Sequence, residues 1–360
     1  MFIPLACIKI APMQYLYSMK RDLFTDSCTV VGATVGVGFL SGKEAQTFFG
    51  GYVNVAVFAG CFLAFNLVIR QFCFKNGCGN AASFSRACFG KFSTVFLAAL
   101  CLCNFVCAVS VLAGLQSCLE QLFFATKLPI FAFVVALAAA FVLKTGLKTF
   151  KMLNVLSIVL ALAYLFGVAF FTPHTGSETS VSFAQPLVYA LFSLATSLGV
   201  LAPLSQKGKQ NVAATIIATV LLCALMCIVI FAADFSLNLP IFGKTDSVAL
   251  NVFGAFVVVL ATITGVVANA LPIVQCVNLV LEDSALSTTC VLCLAVACSM
   301  FGFDFALRYG YLPVAFTGAI SVTAAAFKLA KETVLEHRTV ARRKQSRKTN
   351  ENITKISSAN

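Results

Sequence analysis

Val31-Gly32-Ala33-Thr34-Val35-Gly36-Val37-Gly38-Phe39-Leu40-Ser41-Gly42-Lys43-Glu44 decides how this chain is read. Four glycines fall within eleven residues, in the middle of an apolar stretch over 24–49 that is otherwise long enough to cross a bilayer. Glycine costs up to about 1 kcal/mol at an interior helix position, so a smooth lipid-facing helix has no use for this cluster. Non-helical backbone at membrane depth survives only where protein buries it or it lines a wet cavity. A break here exposes carbonyls at the end of the inner half-helix, which hold a cation, and N–H groups at the start of the outer half, which attract an anion. Lys43 and Glu44 lie about 8–12 Å farther along at 1.5 Å per residue. Ionisable residues at such depth face the bundle interior. Neighbouring residues on a helix diverge, so one of the two lines the pathway. Glu44 is assigned there, and Lys43 snorkels to the outer interface.

Other readings of the glycines are weaker. Gly36, Gly38 and Gly42 miss the dinucleotide spacing. Gly42-Lys43 misses a phosphate loop, because Glu44 stands where Ser or Thr should follow and no strand precedes. Close helix packing through Gly38-x-x-x-Gly42 is the serious competitor.

Outward from this stretch, composition sets the class. Of 360 residues 60% are apolar and 11% charged, against about 45–50% and 25% in soluble proteins. With a mean hydropathy of +0.96, a soluble enzyme, a disordered chain and a secreted disulfide scaffold are excluded. The pattern predicts an all-α polytopic membrane protein with ten spans near 24–49, 52–72, 93–118, 128–143, 152–171, 184–204, 211–233, 248–279, 286–303 and 310–328. With the N-terminus inside, 21 Lys and Arg fall in inner segments and 3 in outer ones. Both termini are therefore expected in the cytoplasm of a plasma-membrane protein. The net charge of +12 reflects that bias and implies no nucleic acid. Residues 1–23 read as a cytoplasmic segment whose first 18 residues precede a plausible start at Met19, 24–328 as the membrane domain, and 329–360 as a basic tail touching anionic lipid.

A second interruption is expected in the sixth span, where Ser193, Thr196, Ser197 and Gly199 cluster before Pro203. Spans one and six open two five-span halves, about 24–172 and 183–328, and enter from opposite sides. Paired broken helices in such positions point to an inverted-repeat transporter.

Gly36-Val37-Gly38-Phe39-Leu40-Ser41-Gly42-Lys43-Glu44 with Phe48-Phe49 resembles the signature of YkvI-like bacterial membrane proteins, in the amino acid/polyamine/organocation superfamily. Val111-Leu112-Ala113-Gly114, Tyr189 to Pro203 and Leu239-Pro240 resemble that family as well. The resemblance implies a LeuT-like five-plus-five fold with spans one and six interrupted, and transport of a small amine-containing solute. By position, it implies that Thr34, Gly36, Gly38 and Phe39 face substrate with Tyr189, Phe192, Ser193 and Thr196. It also implies that Gly32 and Val35 carbonyls and Thr264 face a sodium ion. Gly265 stands where the family tends to carry a second hydroxyl and Ser193 where it tends to carry Asn, so a proton on Glu44 is the alternative coupling ion.

The remaining polar residues say less. Asn104, Gln116 and Asn269 line a pathway or, more commonly, bond between helices. Most of the sixteen cysteines sit in apolar runs as small hydrophobes, and Cys290-x-x-Cys293 lacks a redox or metal context. Neither HExxH nor GxSxG occurs, which leaves an intramembrane enzyme unsupported. The expected function is secondary transport of a small amino acid-like or amine solute by alternating access, coupled to sodium or protons, with no other cofactor. A ligand sensor on the same scaffold is the alternative.

Overall fold

The computed structural model describes residues 22–123, 128–171, 181–208, 210–232, 247–281, 283–302 and 310–335. The extension expected at 1–18, most of the loop around 173–182, Leu239-Pro240 and the end of the basic tail lie outside these residues. Every regular element described is helical. In chain order they are α1 (22–34), α2 (Val37–Leu40), α3 (Lys43–Phe48), α4 (Tyr52–Lys75), α5 (Ala81–Phe89), α6 (Ser93–Leu122), α7 (Ile130–Thr145), α8 (Leu147–Phe171), α9 (Ala184–Leu204), α10 (Gln210–Ala232), α11 (Val248–Leu281), α12 (Ser284–Ser299) and α13 (310–335). Among the described residues, seven helical stretches are long and apolar enough to cross a membrane: α4, α5 running into α6, α8, α9, α10, α11 and α13. α7 and α12 are apolar but shorter. The chain is a multi-pass membrane protein.

The glycine-rich segment breaks twice. The ladder of α1 ends where the Val35 N–H donates to the Val31 carbonyl at 2.8 Å. Val35 and Gly36 then leave the helix, with Gly36 extended at φ −111° and ψ −172°. α2 makes a single turn before Ser41-Gly42 interrupts again, and Gly42 adopts φ 82°. A side chain in that left-handed region costs roughly 1–2 kcal/mol, which is why glycine sits there. The result is a staircase that swings Glu44 inward on the first turn of α3.

α9 and α11 form the interior. Of the most apolar 18 residues, 78% are buried in α9 and 67% in α11, against 33% in α4 and in α13. α11 packs most extensively on α6 and α8, and α9 on α4.

The interruption expected in the sixth span is not there: α9 is one continuous helix from Ala184 to Leu204, with Pro203 in its last turn. The hydroxyls that suggested a break bond back within the helix, Thr196 Oγ1 to the Ser193 carbonyl at 3.0 Å and Ser197 Oγ to that of Leu194 at 3.2 Å. Gly199 marks a close crossing instead, since a Cβ there would lie 2.9 Å from Pro272 Cδ of α11.

Two further elements depart from expectation. Residues 81–89, expected as loop, form α5, started by a capping box: Asn80 Oδ1 accepts from the Ser83 N–H at 2.7 Å and Ser83 Oγ accepts from the Asn80 N–H at 3.1 Å. α13 continues past the boundary expected at 328, and Lys328 Nζ donates to the Ala87 carbonyl of α5.

Candidate functional site

Glu44 is buried, 5% exposed, on a helix only six residues long. Burying a carboxylate costs several kcal/mol, and hydrogen bonds to a charged group return about 1.5–3 kcal/mol each. Two such bonds are made. Tyr189 Oη of α9 donates to Glu44 Oε2 at 2.6 Å, and Tyr311 Oη of α13 donates to Oε1. Three distant segments thus meet on one carboxylate, each oxygen taking one phenol.

Aromatic rings wall this contact. Phe48, one helical turn beyond Glu44, lies 5.1 Å from the Tyr189 ring and 5.3 Å from that of Tyr311, centroid to centroid. Phe49 meets Tyr189 edge-on at 5.2 Å. Phe192 stacks on Tyr311 at 4.1 Å with an interplanar angle of 11°. Ring pairs in such geometries add about 0.5–1.5 kcal/mol each beyond simple burial, so the carboxylate is fixed by rigid groups.

Beside Glu44 lies a cavity of about 30 Å³, lined by Ala33, Val35, Gly36 and Gly38 of the break, Cys107, Ser110 and Val111 of α6, Phe192 and Thr196 of α9, Gly265 and Asn269 of α11, and Tyr311. That space takes one or two waters; an amino acid needs rearrangement of the lining. Of the residues the sequence singled out for substrate, Gly36, Gly38, Glu44, Phe192 and Thr196 line it, and Tyr189 reaches it through Glu44. Thr34, Phe39 and Ser193 are buried nearby in the chain but not in its lining. Thr34 Oγ1 donates to the Val30 carbonyl at 2.8 Å, and Ser193 Oγ has no partner.

The residues assigned to an ion are spread out. Val35 lines the cavity. Gly32 packs within α1 against Asn154 of α8, whose Oδ1 would lie 1.7 Å from a Cβ at that position. Thr264 is buried on α11 and donates to the Ala261 carbonyl at 2.9 Å. Among the described residues no group of three or more His, Cys, Asp or Glu is placed to hold a metal.

Lys43 diverges from Glu44 as adjacent helical residues must. It lines a separate space of about 20 Å³ with Ser41, Gly114, Ser117 and Gln121. Gln116 serves packing: its Oε1 accepts from the Phe131 and Ala132 N–H groups at the start of α7, at 3.1 and 3.3 Å. Asn104 is buried with its amide on the Leu100 carbonyl, whereas Asn269 does reach the cavity. Sequence reasoning missed Tyr311, Cys107 and Ser110. A tyrosine near the start of an apolar run reads as an interfacial anchor, and only the tertiary fold turns its hydroxyl toward Glu44.

No family model and no curated protein sequence matches the chain. Among solved structures, the crystal structure of MhsT in complex with L-phenylalanine is similar, with a TM-score of 0.60 over 82% of this chain and 87% of that chain, at 16% identity. At that identity the likeness shows the fold alone, and it is the LeuT-type architecture.

Proposed function

We propose that this protein is a secondary transporter, not an enzyme, that moves a small amino acid-like or amine solute across the plasma membrane by alternating access. The observation that carries the reading is Glu44. A broken helix delivers a carboxylate to a cavity in the interior of the bundle, where phenols from two other helices hold it. Ionisable groups at membrane depth are too costly to keep without a function. The similarity of fold to MhsT, solved with L-phenylalanine, supports a solute of this size class.

On this reading the chain crosses the bilayer ten times, counting α1–α3 as one broken crossing and α7 and α12 as short ones, with both termini inside and repeats at about 24–172 and 183–328. Gly36, Gly38, Glu44, Phe192 and Thr196 form the substrate side with Tyr189 behind Glu44, and Thr34, Phe39 and Ser193 join it only when the lining rearranges. Gly32, Val35 and Thr264 form the ion side if sodium drives the cycle, and Glu44 carries the proton if protons do. The basic tail rests on anionic lipid. A ligand sensor on the same scaffold is the second reading. It is favoured by the resemblance, in which Gly265 stands where a second hydroxyl would help hold sodium.

The test is a thermal-stability screen of the purified protein against amino acids and amines, with and without sodium. Stabilisation by members of one class is expected, strengthened by sodium only if Thr264 and its neighbours bind the ion. A flat response to every solute would remove the proposal.

A further inference from the structure

The direction of each hydrogen bond around the cavity restricts what it can hold. Asn269 spends its amide on the Gly265 carbonyl at 2.8 Å, which leaves Oδ1 buried without a partner. Thr196 Oγ1 donates its one proton to the Ser193 carbonyl at 3.0 Å, and Ser110 Oγ to the Val106 carbonyl at 2.7 Å. A hydroxyl whose proton is spent offers only lone pairs. Tyr311 likewise spends its proton on Glu44. Apart from the weak S–H donor of Cys107, the polar lining side chains therefore present acceptors, one of them a carboxylate, and none of them is a lysine, arginine or histidine.

Buried acceptors left without donors are costly, so the matching ligand brings several N–H groups and a positive charge. A primary ammonium has three donors on one centre. A zwitterion fits less well. Its carboxylate has only backbone N–H groups at the break to turn to, and it would share this small space with Glu44. Like charges confined to so small and buried a space repel far more strongly than in water.

We infer that the substrate is a small primary ammonium ion without a carboxylate, its N–H groups shared among Glu44, Asn269 Oδ1, Thr196 and Ser110. This rests on the transport reading and narrows its substrate class.

The experiment uses matched pairs that differ by the carboxylate alone: isoamylamine against leucine, isobutylamine against valine, and phenethylamine against phenylalanine, with tetramethylammonium as a cation lacking N–H. Binding to the purified full chain is measured by calorimetry. Each amine is expected to bind at least tenfold tighter than its amino acid and than tetramethylammonium. Glu44→Gln should lose at least tenfold in amine affinity. Thr196→Val, isosteric and short of one acceptor, should lose severalfold, which keeps the test standing if Glu44→Gln fails to fold. An amino acid binding as tightly as its amine overturns this inference and leaves the transport reading intact. Tetramethylammonium binding as tightly as the amines refutes the role given to the N–H donors. No saturable binding by any of the probes overturns both.

Discussion

Two alanine substitutions four residues apart should behave in opposite ways, because the space around the two glycines differs. At Gly36 a Cβ would meet Val111 Cγ2 at 3.6 Å, ordinary contact, and φ −111° suits any residue. Alanine there is compatible with the backbone and restricts the unfolded chain, so stability should hold or rise by about 0.4–1 kcal/mol. Gly36 and Val111 both line the cavity, however. A methyl group introduced there occupies space the ligand needs, and one misplaced methylene is worth about 1–3 kcal/mol, or 10–200-fold in affinity. At Gly32 a Cβ would stand 1.7 Å from Asn154 Oδ1 and 2.7 Å from its Cγ, and Asn154 is fully buried with its amide on the Phe150 carbonyl at 2.8 Å. Overpacking of that kind costs about 1–3 kcal/mol. The chain has no tryptophan, so unfolding is best followed with a thiol-reactive dye that reports buried cysteines, alongside ligand affinity on the same preparations. Gly36→Ala should melt like the wild type and bind poorly, and Gly32→Ala should melt early. A Gly36→Ala protein that melts early but binds normally would refute the reasoning and return the glycines to a packing role.

The other expectations follow the same geometry. Gly199→Ala should destabilise by about 1–3 kcal/mol, because the Pro272 ring at 2.9 Å cannot rotate away; an unchanged melting point would mean that α9 and α11 slide apart easily. Glu44→Gln should fold but lose ligand binding, measured as loss of ligand-induced thermal stabilisation, since a neutral amide has no charge to offer. Retained binding would take Glu44 out of the site. In a cysteine-free background, a cysteine placed in 173–182 should label from outside intact cells and one placed in 75–91 should not. The opposite pattern would invert the topology.

The broken first helix was legible because its signal is redundant: four glycines and two charges at membrane depth exclude a plain helix together. Gly42 could be read as a turn, yet nothing in its neighbours told that it would be a second turn after the one at Val35-Gly36. The sixth span misled because serine, threonine and glycine carry two meanings in a membrane helix. Ser197 and Thr196 weaken a helix in principle, but here their protons close on carbonyls within it, and Gly199 admits Pro272 rather than freeing the backbone. Helix α5 was overlooked because nine residues are too short to cross a bilayer, although Ala81, Phe84, Ser85 and Cys88 recur at helical spacing on its buried face. Its capping pair, Asn80 and Ser83, was a second cue. For the site, Glu44 stood out by charge alone, whereas Tyr311 became visible only when α13 was seen to cross beside α3 and α9.

The central claim is that the Glu44 cavity carries a solute across the membrane. Counterflow tests it most directly: the purified chain in liposomes loaded with unlabelled isoamylamine or leucine, with traces of the labelled solute outside. Transient accumulation of label by the wild type, absent in Glu44→Gln liposomes holding equal amounts of folded protein, is the predicted result. Saturable binding without any accumulation would contradict it and leave a sensor built on a transporter's fold.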